Sequence, residues 1–354
     1  MIAWARLART PRIGPVTFQR LIARYKNAAE AIERLPRHIA PPPASAIEAE
    51  MEALAAMGAR FAAACEPDYP PLLKEVDPPP PLISLRGRIK LAHERTIALV
   101  GAREASAAGL HLAEALARDL GEMGYVIVSG LARGIDASAH RASLKTGTIG
   151  VLAGGLDNPY PPQNRALHDA IAEQGLVVSE APLGTVARAR DFPRRNHVIS
   201  GLSLGIVVIE AALRSGSLIT ARAAAEQGRE VMAAPGSPLD PRARGANALI
   251  KGGATLIEDA HDVAAHLGAA PRAHAPGPLF SRVEEEADVS AADVARVFAL
   301  LSPTPVHLNE LARHAGLSAA QTAAALMELE LAGRAASLAG GFAAFARAAF
   351  QAPD

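Results

Sequence analysis

Seven short, nearly continuous apolar runs alternate with helical patterns along this chain of 354 residues. The runs span residues 96–101, 125–130, 148–155, 176–180, 204–210, 230–236 and 254–259. Strands that are buried on both faces need such runs, because helices cover both sides of a parallel sheet. Between the first two runs, apolar residues recur at the spacing of a crossover helix. The alternation therefore predicts an α/β fold with an extended, doubly wound, mostly parallel sheet of the Rossmann-like kind.

The chain on either side of these runs predicts two smaller domains. The N-terminal part has short helical patterns that end at LPRHIAPPP, since proline lacks the N–H that a helix needs. The C-terminal part has a helix–turn–helix pattern with Asn309 and Ser318 as N-caps, then two short strands around Gly340-Gly341, as in a winged helix. The predicted domains are a helical domain at 1–62, the sheet domain at 63–268, an Ala/Pro/Gly-rich linker at 269–282 and a winged-helix-like domain at 283–354.

The turn at Ile13-Gly-Pro15 resembles a helix-hairpin-helix turn. It fits either a plain helical packing module or one that binds nucleic acid.

Composition limits the partners and the compartment. The 36 Lys and Arg residues equal the 36 Asp and Glu residues, so only a local patch can hold an anionic partner. The single cysteine, Cys65, cannot form an internal disulfide, which favours a reducing compartment, the cytoplasm. No apolar stretch reaches the roughly 18 residues of a membrane span, and we expect no export signal. The histidine spacings fit no metal motif, and we expect neither a metal nor a cofactor.

Polar residues follow several predicted strands at their carboxyl ends, where open parallel sheets bind ligands. The loop GAREASAAG (101–109) offers backbone donors and a guanidinium to an anion, or it is a helix start with an exposed arginine. The loop VSGLARGIDASAH (128–140) supplies a second turn facing the same anion, in which Asp136 either holds Arg133 or caps a helix. The candidate residues in these two loops are Gly101, Arg103, Ser106, Ser129, Gly130 and Arg133.

The densest basic run lies at 187–196 and contains Arg188, Arg190, Arg194 and Arg195, opposed only by Asp191. Phe192 lies inside the run. Arginines that hold phosphates beside an aromatic ring that stacks on a base are typical of single-stranded nucleic-acid sites. A solvated loop with a buried phenylalanine fits the same residues.

The sequence context argues against two candidate catalytic features, a G-x-S-x-G match and His140. Gly201-Leu-Ser-Leu-Gly205 matches G-x-S-x-G, but a nucleophile elbow follows a strand, whereas this stretch precedes one. His140 has no matched nucleophile and is interpreted as a helix residue. No Gly-Lys pair exists, which excludes a Walker A loop. We expect no catalytic residues.

Six motifs follow one another along the chain: GAREASAAG, VSGLARGIDASAH, GGLDNPYPPQN, FPRRN, EAALRSGSLITA and APGSPLDPRARGAN. In this order they resemble the DNA-processing protein A (DprA/Smf) family, over about Asp68 to Val263. The resemblance implies a non-enzymatic protein that binds and protects incoming single-stranded DNA, usually as a homodimer, and loads a RecA-type recombinase during DNA uptake and recombination. It implies DNA contacts at Gly101, Arg103, Ser106, Ser129, Gly130, Arg194, Arg195 and Asn196.

This chain departs from the family pattern at two positions. Ala102 stands where serine or threonine is usual, and His197 stands where the family often has arginine. A histidine near its ordinary pKa of about 6.5 is mostly neutral at cytoplasmic pH. We therefore expect one weaker phosphate contact and a smaller salt dependence.

The second helix of the winged-helix pattern, 318–331, has no Lys or Arg but has Glu328 and Glu330. Phosphate-binding helices need positive charge, so this helix favours a protein–protein or dimer-supporting role.

A second function from another class is a nucleotide-processing enzyme, a phosphoribohydrolase of the lysine-decarboxylase-like group. Glu210 or Asp136 would act as acid or base and Ser215-Gly-Ser217 would bind a phosphate. The P-G-G-x-G-T-x-x-E stretch typical of those enzymes is absent.

Overall fold

The structure, a computed structural model, describes residues 1–269, 289–302, 305–338 and 341–346. The predicted linker from residue 270 onward, the start of the predicted winged-helix domain and Gly340 lie outside these residues. The chain divides into two compact units. One comprises Ser45–Ala275, and the other comprises Met1–Ala44 together with Pro276–Asp354.

The central unit is built on one nine-stranded sheet, which confirms the predicted fold class. Its strands are β1 (Ala59–Ala63), β2 (Leu82–Gly87), β3 (Thr96–Gly101), β4 (Val126–Ser129), β5 (Thr148–Leu152), β6 (Leu176–Ser179), β7 (Gly205–Ile209), β8 (Glu230–Ala233) and β9 (Thr255–Leu256). The order across the sheet is β1-β2-β6-β5-β4-β3-β7-β8-β9. Strands β3 to β9 pair in parallel. Each of the seven predicted apolar runs supplies one of these parallel strands.

Two strands were not predicted. β1 and β2 pair antiparallel with each other, and β2 pairs antiparallel with β6. Residues 59–62 were assigned to the helical domain at 1–62, which is wrong at β1, because the short Ala-rich run ARFAA lacks β-branched residues. β2 was missed because the run LISLRG follows four prolines.

Helices cover both faces of the sheet. The central helices are α4 (Ala44–Ala56), α5 (Pro71–Lys74), α6 (Ala107–Glu122), α7 (Ile135–Ser143), α8 (Arg165–Gln174), α9 (Asp191–Gly201), α10 (Gly216–Glu226), α11 (Arg244–Lys251) and α12 (Ala260–Ala269). Short 3₁₀ turns span Ile89–His93 and Pro162–Asn164. The chain moves one way from β3 to β6 and the other way from β7 to β9, so right-handed crossovers place the helices of these two halves on opposite faces of the sheet.

The core lies between β3, β4 and β7 and the apolar face of α6. Leu116, Ala117 and Leu120 of this helix are fully or almost fully buried against Leu99 and Ile127. The predicted crossover helix between the first two runs is thereby confirmed, and it fixes the position of the loop that precedes it.

The second unit contains N-terminal helices and a winged helix. The helices are α1 (Ile2–Ala8), α2 (Pro15–Tyr25) and α3 (Ala28–Glu33). The winged helix has α13 (Ala291–Leu300), α14 (Leu308–Ala315), α15 (Ala319–Leu331) and a small sheet of β10 (Val306–His307), β12 (Phe342–Phe345) and β11 (Ala335–Leu338).

One predicted cap of the winged helix is confirmed and the other is wrong. Ser318 caps α15 in a capping box with Gln321. α14 begins one residue before Asn309, and its N-cap is His307, whose Nδ1 accepts a hydrogen bond from the Asn309 amide at 3.2 Å. None of the helices in the described part of the chain has the length and apolarity to cross a bilayer.

Candidate nucleic-acid interface

The candidate site lies at the carboxyl ends of the parallel strands, where the sheet changes direction between β3 and β7. Gly101 ends β3 at this point. A Cβ on Gly101 would lie 1.9 Å from the Ile209 carbonyl oxygen, so only glycine lets the two strands approach. Gly101 therefore has a packing role that the sequence analysis did not assign.

The N-terminus of α6 is occupied by a carboxylate of the chain itself. Ser106 caps the helix by accepting from the Gly109 amide at 3.0 Å. Glu210, at the end of β7, accepts from the Ser106 amide at 2.8 Å and from the Ser106 hydroxyl. The predicted anion position at Ser106 is thus filled by Glu210, and a free phosphate would have to displace it.

Gly134 joins the first two loops. Its φ is +74°, and a Cβ would lie 2.3 Å from the Ala102 carbonyl oxygen and 2.8 Å from that of Arg103. The neighbouring Ile135 amide donates to the Ala102 oxygen at 3.2 Å. The tight turn in VSGLARGIDASAH therefore fixes the position of the Arg103 loop beside Arg133.

Ser129 and Asp136 of the second loop are buried. Ser129 is fully buried and donates to the Leu99 carbonyl at 2.6 Å. Asp136 accepts from the amides of Gly130 at 3.1 Å and Ala132 at 3.3 Å. Burial raises the pKa of Asp136, opposed by Arg195 and by these amides. Asp136 therefore neither holds Arg133 nor caps α7 by a side-chain hydrogen bond, but closes the β4 loop.

Arg195 is a buried structural arginine. Its Nη1 donates to the carbonyls of Gly130 and, at 3.1 Å, Val151, and its Nε donates to Asn196 Oδ1 at 3.1 Å. Burial lowers its pKa to about 10, although the charge of Asp136 opposes the change. It remains protonated at neutral pH, and its hydrogen bonds tie the ends of β4 and β5 to α9.

The other arginines of the basic run differ in their partners. Arg194 is exposed, but its Nε donates to Glu180 Oε2 at 2.7 Å, so Asp191 is not the only acid that opposes the run. Arg190 lies 3.9 Å from Asp191, and Arg188 forms no ion pair with a described residue. Asn196 is buried and donates to the Gly216 carbonyl at 3.3 Å.

Phe192 lies in a group of cations and a second ring. The guanidinium carbons of Arg103 and Arg195 lie 5.3 Å and 5.6 Å from its centroid. The ring of Tyr160 packs edge-on at 5.8 Å, and 49% of this tyrosine is exposed. Tyr160 was not predicted as a site residue, although its motif follows the third strand; it offers a base the more accessible ring.

An open cleft of about 310 Å³ lies between the first two loops and α7. Arg103, Arg133 and Arg141 line it, all three are exposed, and none forms an ion pair with a described residue. Asn164 lies at its buried side and donates to the carbonyls of Leu131 and Ala132 at 2.8 and 3.1 Å. Glu104, the one acidic residue of the lining, is outnumbered by the arginines.

Arg141 was missed by the sequence analysis. Gly134, Ala137, Ser138 and Arg141 follow the spacing of one helix face, and all four line the cleft. That periodicity was the available signal. The structure thus brings Arg103 and Arg133 together with Arg141. Ser129, Gly130 and Arg195 are buried and stabilise the loops that carry these arginines.

The histidines of the region are not arranged for catalysis. His140 lies within α7, as predicted, and is fully buried. Burial lowers the pKa of His197 below its ordinary value, although Glu180 and Glu226 oppose the change. A neutral His197 adds no positive charge to α9. In the described ranges, no group of three His, Cys, Asp or Glu side chains could hold a metal ion.

Family models match three parts of the chain. The model described as DNA recombination-mediator protein A matches residues 60–268, the DprA winged helix domain matches 283–341, and the DprA-like N-terminal HHH domain matches 1–53. These matches confirm the family resemblance drawn from the motifs.

Individual relatives agree with the family models. Protein Smf of Escherichia coli (strain K12) is 39% identical over 79% of this chain and 76% of its own length. The DNA processing protein DprA of Bacillus subtilis is 44% identical over 55% of this chain and 67% of its own. The structure of DNA processing protein A from Streptococcus pneumoniae has a TM-score of 0.61 at 36% identity, over 72% of this chain and 86% of its own.

The solved structure of a fourth relative concerns a DNA ligand of that protein. DNA processing protein A from Helicobacter pylori, whose structure was described for its single-stranded DNA binding mode, has a TM-score of 0.54 at 28% identity. The match covers 58% of this chain and 95% of that protein.

Proposed function

The chain belongs to the DNA recombination-mediator protein A family, and we propose that it binds single-stranded DNA in the cleft lined by Arg103, Arg133 and Arg141. The observation that carries the proposal is the set of three exposed arginines without an acid partner among the described residues. A guanidinium that is free of carboxylates keeps its donors for phosphate oxygens. The cleft can therefore hold the backbone of a strand without reading its sequence.

Tyr160 and Phe192 would supply the aromatic contact. A single strand exposes its bases, so an exposed ring beside a basic cleft favours it over a duplex, whose bases are stacked inside. Because Phe192 already lies near two guanidiniums, we assign the outer stacking position to Tyr160 and a supporting position to Phe192.

The proposal extends to protection of incoming DNA and to loading of a RecA-type recombinase, by family membership. It includes a homodimer. The edge strand β9 pairs only with β8 among the described strands, and Leu256 on it is 45% exposed. A second copy on this edge would cover apolar surface and join two short DNA sites into a longer one.

We propose that the protein acts in the cytoplasm by binding and not by catalysis. The residues that a phosphoribohydrolase would use as acid or base are engaged in other ways. Asp136 is buried against backbone amides, and Glu210 accepts hydrogen bonds from the amide and hydroxyl of Ser106 at the start of α6. Neither carboxylate is free to attack or protonate a nucleoside phosphate.

Fluorescence anisotropy of a labelled oligo-dT and of a duplex of equal length, at several salt concentrations, tests the proposal. We expect preference for the single strand and a Kd that rises with salt. Each single change Arg103→Ala, Arg133→Ala or Arg141→Ala should reduce the slope of log Kd against log salt by about 0.7, the value for one lost phosphate contact on a single strand.

The matched control is Arg118→Ala, since Arg118 is exposed on α6, paired with Asp119 and outside the cleft. Equal slopes for this control and the three cleft variants would exclude the cleft as the DNA site. Release of a free base from a nucleoside monophosphate would instead support the phosphoribohydrolase function. Failure to speed strand exchange by a RecA-type recombinase would remove the loading function alone.

A further inference from the structure

The third helix of the winged helix, α15, is buried on two sides. Ala325, Leu326 and Leu329 belong to the hydrophobic core of the winged helix itself. Met327 and Leu331 belong to a different cluster, and they are only 4% and 9% exposed. A helix that served only its own domain would leave this second side open.

The second side is covered by the N-terminal helices of the same compact unit. Met327 and Leu331 share their cluster with buried apolar residues of the first 39 positions. These are Leu7, Ile13, Phe18, Leu21, Ile22, Ala28, Ala31 and Ile39. The apolar core of the N-terminal segment is therefore completed by two residues from near the other end of the sequence.

Polar contacts fix the same arrangement. Arg20 Nη1 lies 3.5 Å from Glu330 Oε2 and 3.5 Å from the Ser337 hydroxyl. His38 Nε2 lies 2.7 Å from the Leu331 carbonyl oxygen, which can only accept, so this nitrogen carries the proton. The bond satisfies a carbonyl at the C-terminal end of α15, one of the groups that a helix leaves without a partner.

The two surfaces have complementary charge. Residues 1–44 contain eight Lys and Arg residues and only two glutamates, in a chain without net charge. α15 has no Lys or Arg, and its charged residues are Glu328 and Glu330. Attraction between these surfaces favours the docked arrangement, and the lack of cations on α15 disfavours a phosphate backbone as its partner.

We propose that α15 is a protein-docking helix and that its partner is the N-terminal helical segment of the same chain. The winged helix then serves to hold the N-terminal helices rather than to bind a duplex through α15. Met327 and Leu331 are the anchors, and the Arg20–Glu330 pair sets the register between them.

Hydrogen exchange of the full-length protein tests the proposal with Met327→Asp. Met327 lies outside the core cluster of the winged helix, so a buried charge there should release the N-terminal segment and spare α14. We expect exchange in 15–25 to rise at least tenfold while 308–315 stays protected. Glu328→Ala, at an exposed position on the same helix, is the control and should change neither. Unchanged protection of 15–25, or equal loss in both segments, would overturn the proposal.

A charge exchange gives a second test that does not depend on a buried charge. Glu330→Arg should raise exchange in 15–25, because it places two cations together, and Arg20→Glu in the same protein should restore protection. Absence of restoration would contradict a direct contact. Protection of 15–25 should also be independent of protein concentration; loss on dilution would show that the partner is a second copy and not the same chain.

Discussion

At the scale of single residues, positive charge at this site has two uses. Arg103, Arg133 and Arg141 are exposed and form no ion pair with a described residue, whereas Arg195 is buried and donates to two carbonyls. Neighbouring positions in the sequence do not reveal this difference. The basic run predicted four similar arginines, but only the structure shows which guanidinium turns inward.

These two roles predict different results when a buried and an exposed arginine are each replaced by glutamine. Arg195→Gln should lower the free energy of unfolding by about 3 kcal/mol, because Asp136 stays buried without its cation. The salt slope of DNA binding should remain that of the wild type. Arg133→Gln, the exposed counterpart, should leave stability unchanged and reduce the slope by about 0.7.

Urea denaturation and anisotropy on both proteins separate these effects. A reduced salt slope for Arg195→Gln, measured where the variant is folded, would show that Arg195 contacts DNA directly.

His140 gives the stability of the protein a dependence on pH. Its Nδ1 lies 2.7 Å from the Thr148 hydroxyl, which itself donates to Ile127, so Nδ1 carries the proton of a neutral ring. Burial lowers the pKa of His140 from 6.5 to about 3. The unfolded chain therefore binds a proton below pH 6.5 that the folded chain does not bind until about pH 3.

Stability should accordingly be lost as the pH falls through this window, by up to about 1.4 kcal/mol per pH unit from this residue. His140→Asn keeps a donor to Thr148 but cannot titrate, so its unfolding free energy should fall less steeply between pH 6.5 and 4. Parallel pH profiles of the two proteins would contradict a neutral, buried His140.

At the scale of elements, the site depends on how closely two loops approach. Gly134 lies against the carbonyls of Ala102 and Arg103, and its conformation, φ +74° and ψ −127°, suits glycine alone. The backbones of the two loops that carry Arg103 and Arg133 are thereby held at a fixed separation.

Gly134→Ala should therefore weaken DNA binding as well as stability. We expect a loss of about 1–3 kcal/mol in unfolding free energy from the strained backbone, with a further rise in Kd as the loops separate. Gly124→Ala is the control, because Gly124 also has a positive φ of +87° but has open space around its Cβ. Similar Kd values for the two variants would show that loop separation does not matter.

The parallel strands could be predicted because each contains a short, nearly continuous apolar run, the pattern that strands covered on both faces need. β1 could not be predicted, since an antiparallel edge strand such as ARFAA needs no such run, and β2 could not, since LISLRG directly follows four prolines. The loops of the site were found from their place after the strands. The role of Glu210 could not be found in this way, because its partner Ser106 is 104 residues away in the sequence and no local pattern indicates a contact between such distant residues.

At the scale of the whole molecule, the central unit contains every residue of the proposed DNA site. Residues 45–275 alone should unfold cooperatively and keep the preference for a single strand, within about threefold of the full-length Kd. Thermal unfolding and anisotropy of this fragment check the prediction. A fragment that folds but binds at least tenfold more weakly would show that the other unit supplies DNA contacts.

The packing of the N-terminal helices against α15 in the other unit affects the order of folding during synthesis. These N-terminal helices emerge from the ribosome well before Met327 and Leu331, which complete their apolar cluster. The central unit can fold in between, because its strands lie wholly within 45–275. Part of the hydrophobic surface of residues 1–44 therefore stays uncovered until Met327 and Leu331 have been translated.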